Sequence, residues 1–489
     1  MKEPLYQIKN TDNVGVALSP IGDIPQGHKV ALKDIEPEEQ IIKYGFPAGK
    51  ATRHIKKGQH VHTHNVKTLL SQTPEYNYNP TQPLENRLLE QVPAQIPKID
   101  VFRRIDGRIG IRNEIWIIPA VGCVNKTAEM LAGWAEKEIS GNGIDGVYAW
   151  THPYGCSQMG GDHEATKTIL ANLAKHPNAA AVLVLFLGCE NNTFAEFKSA
   201  LGSYAEDSER IAFLVAQDCA DELEEGKALL KKLAANAGKA KREKAKISEL
   251  IVGMKCGASD GFSGITANPL AGKVCDTLCG MGASFILTEV PEMFGAEQIL
   301  MDRCETRDLF DKTVSLISDF KEYFHNHNQV IYENPSPGNK AGGITTLEEK
   351  SIGCVQKGGN APVRGVYRYG ERVSPNLGGL ALLDGPGNDI VSTTVMTAAG
   401  AHLILFTTGR GTPLGAPVPT IKISSNSSLA EKKAAWIDFN SGDIFEAGDE
   451  ALCSELLELI TDIVSGRKKA KNEINGYREI AIFKNGVTL

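Results

Sequence analysis

The chain has 489 residues, of which 42% are hydrophobic and 23% charged, and its formal net charge is −7. This length exceeds what one hydrophobic core usually serves, so we expect about two to four domains. The acidic balance, with a pI near 6.0, argues against nucleic acid or an anionic membrane as the main partner.

Residues 1–70 contain short apolar runs broken by turns, such as VGVAL, HKVAL and QHVHTHN. This spacing predicts a small all-β module, and it resembles the SAF domain, a β-clip module found at the front of some sugar-acid enzymes. Residues 71–99 contain several prolines and little periodicity, which predicts an extended, Pro-containing linker.

From about residue 100, continuous apolar runs alternate with helix-length amphipathic segments. Such runs indicate strands buried on both faces, hence parallel sheets flanked by helices. We predict one α/β domain over residues 100–249, ending near a Lys-rich helix at 220–247, and a second over 250–489. The predicted fold class is therefore α/β with an N-terminal β-clip module. A long polar passage at 333–351 is expected to cover a site.

The membrane and redox environment also follow from composition. No stretch approaches the ~20 uninterrupted apolar residues that a membrane helix needs, and the N-terminal residues lack the apolar middle of a signal peptide. We therefore expect a cytoplasmic protein without a membrane partner. Ten cysteines in such a compartment are core thiols, metal ligands or catalytic groups rather than a disulfide framework.

Three predicted strands end alike, in GCVN, GCSQ and GCEN, so Cys123, Cys156 and Cys189 follow one another at intervals of 33 residues. This interval is about one βα unit. The thiols should therefore share the sheet edge at which open α/β sheets bind ligands. His163 and Asp162 follow Cys156 closely. The alternative is that each cysteine fills space as a small apolar residue.

The run HVHTHN places His60, His62 and His64 at alternate positions. In a strand, alternate side chains project from one face. Neighbouring imidazoles suit Zn²⁺, Fe²⁺ or Mn²⁺. The alternative is a polar strand edge that faces solvent.

Several known short motifs are absent from the sequence, which argues against the functions that depend on them. The chain has no CxxC, no GxxxxGK[ST] and no convincing GxGxxG after a strand, so zinc-knuckle, thioredoxin-like and nucleotide sites lack support. Cysteines 33 residues apart also fit poorly with iron–sulfur clusters, whose ligands are usually closely spaced. The residues alone favour a metal-assisted reaction on a small polar substrate and leave that substrate open.

Longer motifs identify a family. They include PAVGCVN, HPYGCSQMGGDH, LGCENN, KCGASDGFSGITANP, TEVPEMFGAEQ, ENPSPGNKAGGITTLEEKSIGC and TTGRGTP. Over essentially the whole chain these motifs resemble the altronate/galactarate dehydratase family. The resemblance implies loss of water from D-altronate to give 2-dehydro-3-deoxy-D-gluconate in hexuronate breakdown, with activation by Fe²⁺ or Mn²⁺. Galactarate and sulfolactate are alternative substrates, because enzymes acting on them share the architecture.

The implied reaction assigns candidate roles. A base removes the proton on C2, an acid assists departure of the C3 hydroxyl, and a metal stabilises the ene-diolate charge. The catalytic candidates are His62, His64, Lys340 and His163. The metal candidates are His60, His62, Cys123, Cys156, Cys189, Glu190, Asp162 and Asp260. The substrate-binding candidates are Arg112, Asn113, Asn125, Asn191, Asn192 and Arg410.

Two further alternatives stay open at this level. A sensor that binds a sugar acid without turning it over would also need a polar pocket. The sequence equally leaves open a homo-oligomer, with the β-clip module acting on its own chain or on a partner.

Overall fold

A computed structural model describes residues 4–70, 75–81, 98–207 and 209–489. Within these ranges the chain forms an N-terminal β module and two α/β domains with parallel sheets, which confirms the predicted fold class. No helix in the described part of the chain combines the length and apolar character needed to cross a bilayer.

The N-terminal module consists of two small antiparallel sheets, ordered β1-β2-β3-β6 and β4-β5-β7. Its strands are β1 Leu5–Tyr6, β2 Val14–Ala17, β3 Lys29–Ala31, β4 Gln40–Lys43, β5 Phe46–Ala51, β6 His60–Val61 and β7 Val66–Lys67. Small aliphatic side chains from both sheets fill a core of its own, so the short apolar runs in the sequence do mark strands.

The second domain has a parallel sheet ordered β11-β10-β12-β13 and a small antiparallel sheet ordered β14-β8-β9. Its strands are β8 Ile99–Arg103, β9 Ile109–Gly110, β10 Glu114–Pro119, β11 Val147–Ala149, β12 Ala179–Phe186, β13 Ile211–Val215 and β14 Arg242–Ala245. Its helices are Asn125–Glu138, Gly160–Ala174, Phe194–Leu201 and Glu222–Ala237.

The Lys-rich helix predicted over 220–247 is too long. The helix ends at Ala237, and β14 follows it. This last stretch pairs with β8, where the Arg242 guanidinium lies 4.5 Å from the ring centre of Phe102. Cross-strand pairing with a segment 140 residues earlier in the chain, Arg242 opposite Phe102, therefore overrides the local helical preference.

The third domain has a seven-stranded parallel sheet ordered β17-β18-β16-β15-β19-β20-β21. Its strands are β15 Ile251–Cys256, β16 Ser284–Leu287, β17 Val363–Tyr367, β18 Leu380–Leu383, β19 Leu403–Thr408, β20 Thr420–Ser424 and β21 Phe439–Asn440. Its helices are Ala267–Gly280, Glu297–Met301, Arg307–Asn326, Pro337–Ala341, Leu347–Val355, Asp389–Ala398, Ser427–Lys432, Ile444–Ala447, Asp449–Val464 and Lys471–Asn475.

The strand order creates a crevice beside the central strand β15. From β15 the chain proceeds to β16 on one side, whereas β18 leads through the helix Asp389–Ala398 to β19 on the other side. The connections therefore diverge between β15 and β19. In open α/β sheets, ligands bind outside the carboxyl ends of the strands at such a switch point.

A buried ion-pair cluster attaches the N-terminal module to the third domain. Glu349 accepts hydrogen bonds from Lys29 Nζ and Lys43 Nζ, both at 2.8 Å, and all three side chains are 1% exposed. Although burial by itself raises the pKa of this carboxyl, Lys29 and Lys43 hold the pKa of Glu349 at about 2. Glu349 is therefore ionised between two ammonium groups.

Part of the predicted linker lies against the third domain. Residues 75–81 form neither helix nor strand, and Thr81 N donates to Asp302 O at 2.8 Å. The Lys321 ammonium contacts both Tyr76 Oη, at 2.9 Å, and Glu297 Oε1, at 2.8 Å. Residues 71–74 and 82–97 of that linker lie outside the described residues.

We expect Glu349→Gln to lower the free energy of unfolding by about 3–5 kcal/mol, because it leaves two buried ammonium groups without a counter-charge. The measurement is urea denaturation of the variant and the unsubstituted protein. Since the folded pKa of Glu349 is about 2 against an ordinary 4.5, its contribution is present above pH 4.5 and is lost as the pH falls toward 2.

The control for this prediction is Glu38→Gln. Glu38 pairs with Lys50 and Lys67 on the surface, where its side chain is 58% exposed. We expect almost no change in stability, because solvent screens that pair. An equal loss in both variants would mean that the buried cluster has no special role in domain attachment.

Candidate active site

The loops after β15 and β19 meet at the switch point. Gly409 N and Arg410 N both donate to Ala258 O, at 3.1 and 2.9 Å. Ala258 adopts a left-handed conformation with φ +53°, which is unusual for a residue with a side chain. At the preceding Gly257, a Cβ atom would lie 2.6 Å from Asp389 Oδ2. Close packing therefore shapes this turn.

Asp260 holds the crevice loops together. Its carboxylate accepts hydrogen bonds from the backbone of Phe262 and Ser263 and from the side chains of Ser425 and Asn426, at 2.8–3.1 Å. Burial raises the pKa of Asp260. With its oxygens occupied by these donors, Asp260 joins the loops after β15 and β20. The structure thus shows that Asp260 holds these loops together, and its role as a metal ligand stays a prediction.

The polar passage predicted to cover a site does lie over the crevice. Its short helix Pro337–Ala341 is fastened by Asn339 Nδ2, which donates to Ser259 O at 2.8 Å. Gly261 N donates to Gly342 O at 2.7 Å, and Arg410 Nη1 donates to Gly338 O at 2.9 Å. Three strand-end residues thus hold the passage in place.

Three histidines of the N-terminal module face this passage. His28 Nδ1 lies 3.0 Å from His60 Nε2, and the ring centres of His28 and His62 are 4.9 Å apart. His28 Nε2 lies 3.3 Å from Ala341 O. One ring nitrogen from each of the three lies within 4.8 Å of the others. We call His28, His60 and His62 the histidine triad.

The triad arises from strand pairing. Lys29 of β3 lies opposite Val61 of β6, so His28 and His62 flank this pair on adjacent strands. His28 was not predicted as a site residue, although it stands in the predicted strand HKVAL. Its position beside a strand was the available signal, but the partner strand could not be identified from the sequence alone.

His64 departs from the predicted arrangement. The strand β6 contains only His60–Val61, and a turn follows in which His62 N donates to Asn65 Oδ1 at 2.9 Å. His64 is consequently exposed, although its ring centre lies 5.3 Å from that of His60. It stands at the edge of the triad rather than within it.

The lowered pKa values of the three imidazoles favour the neutral form that can bind a metal ion. Burial lowers the pKa of His28, that of His60 to about 4 and that of His62 to about 3, and the charge of Lys29 adds to this effect. All three imidazoles are therefore neutral at neutral pH, which is the form that ligates metals. Three imidazoles are a donor set suited to Fe²⁺, Mn²⁺ or Zn²⁺.

Two positively charged side chains that were predicted as site residues, Lys340 and Arg410, lie at the rim of the crevice. Lys340 is half-buried and immediately precedes Ala341, whose carbonyl contacts His28. Arg410 is exposed and uses one guanidinium nitrogen on Gly338 O. The crevice therefore combines a metal-competent triad with two positive side chains, an arrangement that suits a small anionic ligand.

The three Gly-Cys units, which are Gly122–Cys123, Gly155–Cys156 and Gly188–Cys189, lie at the edge of a different sheet. They follow β10, β11 and β12, which are parallel neighbours in the second domain, so the predicted convergence on one edge is confirmed. Cys123, Cys156 and Cys189 are exposed. Among the described residues, the two groups with metal-ligand atoms within 4.8 Å of one another contain none of these three thiols.

Carboxylates predicted near the Gly-Cys units have structural partners. Glu190 accepts from Leu187 N and Gly188 N, at 3.1 and 2.6 Å, and closes its turn. Asp162 accepts from Asn485 N and Gly486 N, at 2.8 and 2.7 Å. These contacts close a loop and anchor the C-terminal segment. Metal ligation by Glu190 and Asp162 stays a prediction.

The predicted substrate-binding amides also serve the fold. Asn125 pairs with His152 backbone groups, Asn191 accepts from Ser157 N, and Asn192 donates to Ala120 O. Two more candidates are buried away from the crevice: Arg112 forms an ion pair with Glu473, and Asn113 bonds Gly143 O and Ala237 O. His163 lies in the second domain, 3.8 Å from Glu196 Oε2.

Three sequence profiles of known protein families match the three domains of the chain in order. Sequence profiles described as altronate/galactarate dehydratase SAF domain, D-galactarate dehydratase/altronate hydrolase second domain, and D-galactarate/altronate dehydratase C-terminal match residues 4–69, 101–238 and 247–488. Altronate dehydratase of Escherichia coli (strain K12) is 48% identical across 99% of both chains. Altronate dehydratase of Bacillus subtilis (strain 168) is 49% identical across 97% of this chain and 94% of its own. Galactarate dehydratase (L-threo-forming) of E. coli is 31% identical across 98% of this chain and 96% of its own.

We expect metal binding by the triad to depend weakly on pH between 7.5 and 5.5. Ordinary imidazoles, with pKa near 6.5, would each lose about tenfold in ligand availability over this range. Because the pKa values of His60 and His62 are about 4 and 3, protons compete with the metal only at lower pH. Calorimetric titration with Mn²⁺ should show less than a tenfold change in affinity. A hundredfold loss would contradict neutral, buried ligands.

Proposed function

The chain belongs to the altronate/galactarate dehydratase family, and we propose that it removes water from D-altronate to give 2-dehydro-3-deoxy-D-gluconate. Near-complete coverage at 48% and 49% identity with two altronate dehydratases carries this proposal, against 31% with a galactarate dehydratase. The protein is a hydro-lyase, and we place its work in the cytoplasm, in hexuronate breakdown.

We further propose that the histidine triad holds the divalent metal, Fe²⁺ or Mn²⁺. Three neutral imidazoles facing a polar crevice support this assignment. When bound, such a metal supplies positive charge that stabilises the carboxylate-derived anion formed on loss of the C2 proton. The three imidazoles would hold such an ion, and the ion pair of Lys29 with Glu349 fixes the strand that carries His28.

In this proposal, the positively charged side chains at the rim of the crevice bind the substrate carboxylate. Among the residues that the structure describes, the Arg410 guanidinium donates one hydrogen bond, to Gly338 O. Its remaining donors can bind a carboxylate with two parallel hydrogen bonds. Lys340, on the passage that lies over the crevice, adds a second positive charge. Together they would bind the substrate carboxylate at the rim of the crevice that the histidines face.

His64 moves protons in the proposed mechanism. It is exposed beside the triad and lies outside the ligand group, so its ring nitrogen is free to accept the C2 proton. The same imidazolium can return a proton to the departing C3 hydroxyl. Base and acid would thus be one side chain acting in sequence.

The substrate is tested with protein purified without oxygen and supplied with Fe²⁺ or Mn²⁺. We expect keto-acid formation from D-altronate, and none of comparable rate from galactarate, D-mannonate, D-gluconate or sulfolactate. Faster turnover of another panel member would keep the reaction type and replace the substrate. Binding of altronate without turnover, seen as thermal stabilisation with metal present, would favour a sensor.

Variants test the division of roles. We expect His64→Ala to lower kcat by about 10²-fold or more, the usual contribution of a general acid–base group, with metal content unchanged. His62→Ala should instead lower the metal content, because it removes a ligand. Both quantities are measured on the same preparations by turnover and by elemental analysis.

The matched control is His54→Ala. His54 belongs to the same module but lies near Asp34 and Glu36 with its side chain 38% exposed, away from the triad. We expect normal turnover and metal content. If His64→Ala behaves like His54→Ala, the proton-transfer role belongs to another residue.

A further inference from the structure

A second group of candidate ligands lies beneath the crevice. Cys256 ends β15, Glu292 stands in the 3₁₀ turn Val290–Met293, and Cys354 belongs to the helix Leu347–Val355. Their exposures are 1%, 5% and 4%. The two Sγ atoms are 3.3 Å apart, and Glu292 Oε2 lies 3.1 and 3.2 Å from them. The three donor atoms form a nearly equilateral triangle.

The size of this triangle fits a small divalent ion. With metal–sulfur bonds near 2.3 Å and metal–oxygen bonds near 2.0 Å, tetrahedral geometry separates the donors by about 3.5–3.8 Å. The observed separations of 3.1–3.3 Å are shorter by only a few tenths of an ångström. Small rotations of the side chains would therefore open the triangle to the required size.

The surroundings of the triangle are ionic, which ordinary packing of two thiols does not need. Lys357 Nζ lies 2.8 Å from Cys256 Sγ and 3.3 Å from Glu289 Oε2. Lys350 Nζ lies 2.8 Å from Glu292 Oε1. Lys255 pairs with Glu289 and with Asp389. Three ammonium groups thus face three carboxylates.

This balance determines what the triangle can accept. With both thiols protonated, the three positive and three negative charges cancel. If a divalent cation binds and both thiols release their protons, two positive charges enter and two leave, so the sum is unchanged. The buried site can therefore take up the ion without a change in net charge. An added net charge would be unfavourable in these low-dielectric surroundings.

Binding of a metal ion would change the state of the two thiols, because a coordinated thiol is deprotonated outright. The third ligand, Glu292, already lies among charged groups, since its second carboxylate oxygen is 2.8 Å from Lys350 Nζ.

We propose that Cys256, Cys354 and Glu292 form a buried structural site for one thiophilic divalent ion, Zn²⁺ or Fe²⁺, separate from the histidine triad. Two thiolates and one carboxylate select such ions over Mg²⁺ or Ca²⁺. Glu289 Oε2, 3.8 Å from Cys256 Sγ, is the nearest further carboxylate for the fourth position. Since the triangle is almost closed to solvent, the ion enters as the domain folds.

Cobalt substitution tests the proposal independently of catalysis. Protein produced with Co²⁺ should show a near-ultraviolet sulfur-to-cobalt charge-transfer band, which nitrogen and oxygen ligands do not give. Elemental analysis should show about one equivalent that Cys256→Ser and Cys354→Ser lose. His62→Ala should keep both this equivalent and the band, because its ligands belong to the other site.

The matched control is Cys304→Ser. Cys304 is equally buried, at 1% exposure, but its Sγ contacts Thr313 Oγ1 and Leu300 O instead of an ionic group. This variant should keep the band. If Cys256→Ser does not fold, the spectrum of the unsubstituted cobalt protein decides alone. No charge-transfer band there, or a Cys256–Cys354 disulfide in freshly purified protein, would overturn the proposal.

Discussion

The buried carboxylate of Glu349 is the constraint on which the arrangement of the crevice depends. It is fixed from the third domain, and it holds Lys29 and Lys43 of the N-terminal module. Lys29 immediately follows His28 and pairs across to Val61, between His60 and His62. A displacement of Lys29 would therefore move the whole triad, since both strands that carry it are tied to this residue.

The same cluster also controls the charge of the triad. Buried ion pairs are a weak source of net stability, because desolvation offsets most of the attraction. Here the positive charge of Lys29 additionally discourages protonation of His62 and His60. One lysine thus positions the imidazoles and adds to the effect of burial, which is the main cause of their lowered pKa values. Replacing the cluster with apolar residues could preserve the docking but would remove this second effect.

Local pattern was sufficient for much of the fold. Continuous apolar runs such as those of β12 and β19 correctly predicted parallel, doubly buried strands, and the Gly-Cys units correctly predicted a shared edge. The regular spacing of those cysteines reflects regular βα units. It indicated the architecture better than it indicated the chemistry, because strand-end amides and carboxylates such as Glu190 close turns there.

The arrangement of the crevice could not be predicted from local sequence pattern, because it depends on contacts between distant parts of the chain. His28 and His60 are 32 residues apart, and Lys29 and Glu349 are 320 apart. No periodicity reports which of several short strands pair, or which buried lysine meets which carboxylate. Asp260 shows the same limit, since a carboxylate at a strand end suggested a ligand from local pattern alone. Two of its hydrogen-bond donors, Ser425 and Asn426, come from a loop far along the chain, and the sequence did not indicate them.

These long-range contacts converge on the passage that lies over the crevice. Lys29 holds Gly343 O from the N-terminal module, Gly261 N holds Gly342 O from the strand-end loop, and Lys350 reaches Asn339 Oδ1 from the ionic layer below. A Cβ atom at Gly343 would lie 2.5 Å from Gly27 O, so the passage is packed against the module. A segment fixed from three directions is a wall of the site rather than a lid that opens freely. A substrate must therefore approach from the solvent side, where Arg410 and His64 are exposed. The residues that meet it first are then the ones with the chemistry to capture a carboxylate and accept a proton.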